Sequence, residues 1–376
     1  MLLQQLQQHL SLKPHQHGFR KRRSTTTALT ELNTLIADGL NHSRPHWRTV
    51  VVALDLSKAF DTVDHSILLN DILYSPLPCF VKRFLSSYIN GRSAYVEFRN
   101  RCSKHRKLKM GVPQGGVLSP ILFNFYISLL PQPPPGIHLI SYADDCTIAA
   151  SGVNVEDITI RINCYLNQVA SFFKERKLHL ASQKSSATLF TTWTKEVNDT
   201  LEVFIDNEQI PTVKNPKILG VTFDNLQTFA KHSANVCNSV SSRNRALKAL
   251  AGTSWGKDKE TIVSTYKTSC RSVINYAAPV WTSFLSDTQW SKIQSRQNSA
   301  LRIATGCHSI THPDHLHDET SMLPVKSHNE LLTKQFLLAC HDPQHPNSNI
   351  LNREMPPRCI KCDFRNYADQ INQHIP

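Results

Sequence analysis

The stretch Ile137-His-Leu-Ile-Ser-Tyr-Ala-Asp-Asp-Cys-Thr-Ile-Ala-Ala150 sets two short β-prone arms on either side of adjacent carboxylates, Asp144 and Asp145. His138 to Tyr142 and Cys146 to Ala150 are rich in Ile, Leu, Tyr and Thr, which suit a pleated, half-buried surface, whereas Asp disfavours strands and suits tight turns. The pattern predicts a β-hairpin turning at the Asp pair. Neighbouring like charges raise each other's energy unless something positive sits beside them, and divalent cations held by carboxylate oxygens are the usual remedy. Taken alone, the pair reads first as an ordinary Asx turn in solvent.

A second stretch changes that reading. Val50-Val51-Val52-Ala53-Leu54 runs straight into Asp55, and five apolar residues before an acid suit a central strand covered on both faces, with Asp55 emerging at its carboxyl end. Three carboxylates can then meet at one sheet edge. Two divalent ions ~3.5–4 Å apart, bridged by such carboxylates, stabilise the attacking and leaving oxygens of a phosphoryl displacement. Between the two acids lies Gly111-Val112-Pro113-Gln114-Gly115-Gly116, a loop whose glycines let backbone approach a ligand closely, followed by a helix over Leu118 to Leu130.

Strand-Asp, then GVPQGGVLSP from Gly111, then YADD at Tyr142 to Asp145 is the motif order of reverse transcriptases, and the chain resembles the jockey-like branch of non-LTR retrotransposon polymerases. Further blocks fall in order: QHGFRKRRSTTTAL from Gln16, ALDLSKAFDTVDHSILL from Ala53, LASQKSSATLFT from Leu180 and KILGVTFD from Lys217. The resemblance spans about residues 16 to 330. It implies an α+β fold: a right-hand polymerase palm with an antiparallel sheet, partial fingers and a helical thumb. The expected divisions are 1–48 partial fingers, 49–225 palm with inserted fingers elements, 226–310 thumb and 311–376 a C-terminal extension.

The resemblance also implies roles. Asp55, Asp144 and Asp145 would hold two Mg²⁺ ions, with Mn²⁺ as a substitute, and the backbone carbonyl of Leu56 would help hold one of them. Phe60 would lie against the sugar of the incoming nucleotide and exclude a 2′-hydroxyl; its other reading is a core Phe. Gln114 and Gly115 would contact the nucleotide or its paired template base. Lys184 is a candidate general acid for the pyrophosphate leaving group, or alternatively a phosphate-neutralising surface Lys. Arg20, Lys21, Arg22 and Arg23 would touch template or phosphate, although the same run also reads as a nuclear localisation cluster. Asp61 and Asp64 are not expected to be ligands, Asp61 being suited to bonding local backbone amides.

The implied activity is RNA-directed DNA synthesis, with an RNA template, a DNA primer and dNTPs as partners, inside the cell as a nuclear and cytoplasmic ribonucleoprotein. Two other readings remain open: a truncated, catalytically silent remnant that only binds nucleic acid, and a DNA-templated polymerase or zinc-dependent nuclease. No RPI-type fingers motif precedes Gln16, and no endonuclease or RNase H segment is recognisable, so weak extension is an expectation alongside salt-dependent binding.

Composition agrees with a polyanionic partner. The chain has 376 residues, 40% of them hydrophobic, and a formal charge of +13, with a sequence pI near 9.3; lysines and arginines that neutralise phosphates release counterions. Lys82 to Lys109 holds nine basic residues against one acid, Glu97, interleaved with Tyr95 and Phe98. Leu226 to Arg302 holds eleven against three. Ten cysteines without paired spacing fit buried reduced thiols rather than a disulfide framework. The apolar run Val117 to Leu130 is too short for a ~30 Å hydrocarbon core, and the basic charge is spread over several segments rather than gathered on one amphipathic helix, so no membrane partner is expected. Cys359-Ile-Lys-Cys362 has zinc-like spacing but lacks a second matching pair. Helical periodicity is expected over Thr26 to Leu40, Asn154 to Lys177, Phe229 to Leu250, Lys259 to Asn275 and Asp287 to Ala304, and a strand over Ser93 to Phe98 after a turn at Asn90-Gly91.

Overall fold

The protein was analysed as a computed structural model that describes residues 12–42, 45–252, 256–351 and 364–367, with positions 3, 6, 9 and 10. Val50, Val51, Val52 and Leu54 are all buried, because the strand Arg48–Leu54 lies inside a four-stranded sheet. The strand order runs Ile137–Tyr142, Asp145–Gly152, Arg48–Leu54, Ser186–Phe190. β-branched residues suit such a doubly covered position.

The hairpin forms, with its turn one residue earlier than expected. Its antiparallel register runs from Ile137↔Ala150 to Tyr142↔Asp145, so Ala143 and Asp144 make the two-residue turn and Asp145 already belongs to the returning strand. A two-residue loop that matches strand twist needs a left-handed residue. Ala143 supplies it at φ 56°.

Two compact units divide the described chain. The first comprises Met1–Ser24, Val50–Ala187 and Asp199–Val213; the second comprises Thr25–Thr49, Thr188–Asn198 and Lys214–Pro376. The expected divisions at 48, 225 and 310 do not coincide with these units. The helix Thr25–Asn41, grouped with the fingers by sequence, packs on Ala278–Trp281 in the second unit, where Asn33 donates to the Val280 carbonyl at 3.1 Å.

In the first unit the helix Val155–Glu175 packs on the second arm of the hairpin. Asn154 caps it by accepting from the Glu156 amide, Glu156 and Asp157 stand in its first turn, and Lys174 stands in its last, all favourable to the helix dipole. Ile158, Ile162, Tyr165, Leu166, Val169 and Phe173 form its buried face. The expected strand Ser93 to Phe98 is instead two short pieces that pair with Arg106–Lys107 and Arg101–Cys102. The expected turn at Asn90-Gly91 forms directly after the helix Cys79–Ile89, with Gly91 at φ 71°, and a second turn at Arg99-Asn100, both at positive φ (47° and 61°), closes the inner pair.

The second unit is helical. Ala230–Leu250, Asp287–Thr305, Pro313–Thr320 and Val325–Cys340 are its main helices, and Lys259 to Asn275 is one helical run interrupted by a π segment, Lys267–Arg271. Ser286 and Gln289 form a capping box, and Gly306 closes the same helix in the left-handed region. The aromatic rings of Phe190, Phe223, Phe229, Trp281 and Trp290 are buried in this unit. Among the described residues no helix is long and apolar enough to cross a membrane. The eight described cysteines are free thiols, half of them buried, and Cys359 and Cys362 lie outside the described residues.

Candidate active site

Asp55 follows the central strand, and its backbone is held from both sides by the segment after the long helix. Its amide donates to Ser185 Oγ at 3.1 Å, and its carbonyl accepts from the Ala181 amide at 2.9 Å. The Ser57 amide donates to the His179 carbonyl at 2.9 Å, so Leu56 opposes Leu180 in an antiparallel bridge made by its neighbours' groups. The carbonyl of Leu56 is therefore turned away from Leu180.

Asp144 and Asp145 reach Asp55 electrostatically, although the two stretches are far apart in sequence. Burial, and then the charge of Asp55, hold the Asp144 carboxyl above the usual range. Asp145 remains exposed at its outer surface, yet loss of hydration on its inner side, followed by the charges of Asp144 and Asp55, pushes it up to about 6. Burial, then the same two carboxylates, pushes the neighbouring Cys146 thiol up to about 12, so it stays protonated and is no metal ligand at neutral pH. Among the described residues, no three His, Cys, Asp or Glu side chains close into a ready ion cage. Mg²⁺ does not ask for one, since it keeps several waters and binds through one or two carboxylates plus substrate phosphates. Three hard oxygen donors with unrelieved mutual repulsion fit that chemistry.

Phe60 is half-buried. Its ring stacks on Phe123 with centroids 4.4 Å apart and meets Phe19 edge-on at 6.4 Å, so it is braced by aromatic neighbours. The glycine-rich loop is tied to the same segment: the Val112 amide donates to the Phe60 carbonyl at 2.9 Å, and Gln114 Nε2 donates to Asp61 Oδ1 at 2.8 Å. Gln114 and Gly115 are exposed, and Gly115 takes φ 84°, which a side chain would strain.

The expectation that Asp61 bonds local amides belongs instead to Asp64. Asp64 caps the helix His65–Tyr74 by accepting from the Ser66 and Ile67 amides, and Lys177 Nζ donates to it at 2.6 Å. Burial works to raise the Asp64 carboxyl, but the Lys177 bond, the two amides and the lysine's charge outweigh it and hold it below the usual range. Lys184 is exposed, one residue before Ser185 in the turn that holds Asp55.

The basic run divides. Arg20 Nη1 donates to the carbonyls of Lys13 and Gln16 and Arg23 Nη1 to that of Pro14, which fastens their own loop, whereas Lys21 and Arg22 are exposed. The hairpin Ser93–Lys107 exposes every residue of its strands. Tyr95, Val96 and Phe98 lie open on it, with Arg99 over the Phe98 ring at 5.2 Å.

Residues that sequence reasoning missed hold the acids from behind. Ser185 carries no local signal that sets it apart from its neighbour Lys184. Gln16 is buried, and its side chain bonds the backbone of Ala143. The Gln-His-Gly block from Gln16 is the local sequence signal for it. A separate cavity of about 650 Å³ in the second unit is lined by Lys217, Thr222, His232, Asn235, Arg243 and Tyr276, among others. Burial, then the charge of Lys217, pushes His232 down to about 4, so its ring is neutral there.

Residues 1–223 match the family described as reverse transcriptase (RNA-dependent DNA polymerase). The chain belongs to the reverse transcriptase family. It is 26% identical to a probable RNA-directed DNA polymerase from transposon X-element of Drosophila melanogaster, over 92% of this chain and 37% of that protein. It is 25% identical to its counterpart from transposon BS of the same fly, over 92% and 38%. The chain thus spans under two-fifths of these relatives' length. Among solved structures, telomerase of Candida tropicalis, in complex with a fragment of telomeric RNA, aligns at a TM-score of 0.46 and 12% identity over 85% of this chain and 55% of that one. The reverse transcriptase assignment agrees with a fold that mixes helix and sheet.

Proposed function

We propose that this chain is the RNA-directed DNA polymerase module of a non-LTR mobile element, adding deoxynucleotides to a primer 3′-hydroxyl on an RNA template. The observation that supports the reading joins topology to charge: Asp55 follows the strand that neighbours the hairpin arm opened by Asp145, and its charge acts on both Asp144 and Asp145. The sheet-bearing first unit corresponds to the palm with fingers elements, and the helical second unit to the thumb. Asp55, Asp144 and Asp145, with the Leu56 carbonyl, would hold two Mg²⁺ ions. Bound there, such ions lower the pKa of the 3′-hydroxyl and neutralise charge on the triphosphate.

The chain's own residues do the rest. Phe60, braced by Phe19 and Phe123, would bar a 2′-hydroxyl with its ring. Gln114, anchored through Asp61, presents its exposed loop to the base pair being formed. Lys184 delivers a positive charge, and a proton where needed, to the departing pyrophosphate. The exposed hairpin around Arg99-Asn100 offers cations and aromatic rings to a nucleic-acid strand, and Lys21 and Arg22 add two more charges.

Primer extension on RNA and on DNA templates, with dNTPs and Mg²⁺, tests the reading. Extension on RNA that is lost in each of Asp55→Asn, Asp144→Asn and Asp145→Asn is the expected result. Tight primer-template binding with no extension would leave a nucleic-acid-binding protein. Extension that survives Asp55→Asn would remove that residue from the site.

A further inference from the structure

We infer that Gln16 is a positioning residue: its buried amide holds the backbone of the Ala143-Asp144 turn, and thereby sets the spacing of the metal-binding carboxylates. The inference rests on the metal site proposed above. The turn requires such a hold. Ala143 lies at φ 56°, a conformation in which an L side chain crowds the following carbonyl, so an alanine stays there only where its surroundings over-determine it. The turn is also the point at which two neighbouring carboxylates repel each other.

The hold comes from a segment distant in sequence. Gln16 pairs with Ser141 in a parallel bridge outside the first arm of the hairpin. The His17 amide donates to the Ser141 carbonyl at 2.7 Å, and the Ser141 amide to that of His15 at 2.9 Å. From that register the Gln16 side chain reaches past the end of the strand. Its Oε1 accepts from the Ala143 amide at 2.9 Å and from the Gly18 amide at 2.8 Å, and its Nε2 reaches the Ala143 carbonyl at 3.4 Å. Both backbone groups of the strained residue thus meet one side chain, at 4% exposure, where water cannot substitute for it.

Gly18 permits this approach. A Cβ at position 18 would stand 2.4 Å from the Ala143 nitrogen and 3.1 Å from Gln16 Oε1. Asn124 fixes the segment further by donating to the Gly18 carbonyl at 2.8 Å. Gln16, Gly18 and Asn124 therefore act on the turn through backbone.

Mn²⁺ titration of the full chain, read by the loss of free-ion EPR signal, is the test, with hydrogen exchange of the 141–146 peptide and thermal melting alongside. Gln16→Met keeps length and removes both polar ends; it should weaken Mn²⁺ binding about tenfold, in the range seen when a metal ligand loses its support, and speed exchange in that peptide. Ser141→Ala removes a different bond between the same segments, Oγ to the His15 carbonyl at 3.3 Å, and should leave Mn²⁺ binding unchanged. Gln16→Glu, which keeps the acceptor for both amides, should restore slow exchange at Ala143 and guards against a Met variant that fails to fold. Unchanged Mn²⁺ binding in Gln16→Met, or equal weakening in Ser141→Ala, overturns the inference. If the unaltered chain binds no Mn²⁺, the metal reading itself fails, and the exchange data alone still decide whether Gln16 holds the turn.

Discussion

Asp145→Asn should make the metal-free protein more stable at neutral pH while abolishing its response to divalent ions. Burial, then Asp144 and Asp55, raise the Asp145 carboxyl from 3.8 to about 6. A folded-state value above the unfolded one means that folding favours the protonated form. That contribution is complete below about pH 4 and is lost as pH rises through about 6. Two units would be worth about 3 kcal/mol for a fully buried group. Asp145 is exposed at its surface, and solvent screening brings the figure to about 1 kcal/mol. At pH 8 in chelator the uncharged, nearly isosteric variant should melt about 1 °C higher than the unaltered chain, and at pH 4 the two should melt together. Millimolar Mg²⁺ at pH 8 should then raise the melting temperature of the unaltered chain and barely move the variant's. Scanning calorimetry at the two pH values checks both. A variant that melts no higher at pH 8 would refute the like-charge crowding, and one that still responds to Mg²⁺ would remove Asp145 from the ion site.

Phe60→Ala should admit ribonucleotides in primer extension while retaining part of the deoxynucleotide activity, at a stability cost that includes about 1 kcal/mol for the lost stack on Phe123; unchanged sugar discrimination would return Phe60 to a packing role. Lys177→Met should destabilise the protein at pH 7, with the difference fading as pH falls below about 4, because the depressed Asp64 carboxyl contributes stability only where it is ionised; a pH-independent difference in urea midpoints would point to packing instead. Neutralising Arg101, Lys104 and Arg106 together should weaken primer-template binding and lower the slope of log affinity against log salt by about 0.7–0.9 per lost phosphate contact; an unchanged slope in fluorescence anisotropy would show that the exposed hairpin does not meet nucleic acid.

What could be read in the sequence was whatever is written in local pattern. Val50 to Leu54 ending in Asp55 could hardly be anything but a buried strand delivering an acid, and the alternating arms around Asp144 made a hairpin. The turn was misplaced by one residue because composition favours Asp in turns, whereas the register assigns the left-handed position to Ala143. The turn at Asn90-Gly91 was legible and is present, but the strand expected over Ser93 to Phe98 is split, because a second turn at Arg99-Asn100, with no glycine to announce it, closes the inner pairing. Domain divisions were the least legible. Nothing local tells that Thr25–Asn41 packs with Ala278–Trp281, a contact across most of the chain. The supports of the site were hidden in the same way, since Ser185 and Gln16 act by reaching backbone far from them in sequence.

The three carboxylates and their supports follow one physical logic. Each acid's backbone is fixed by neutral groups, Asp55 by Ser185 Oγ and the Ala181 amide, the Asp144 turn by Gln16. No protein cation lowers Asp144 or Asp145. Lys177 is paired with Asp64 at 2.6 Å and Arg176 with Asp71, so those two acids serve as a helix cap and an anchor instead. A lysine paired with Asp145 would quench the repulsion inside the protein, and a divalent ion would then have to displace it to bind. Neutral clamps avoid that competition: they fix geometry, which is where phosphoryl transfer gains most of its rate, and leave the charge imbalance for a dissociable ion to resolve. The arrangement costs stability in the metal-free state, and that cost is what Asp145→Asn should return.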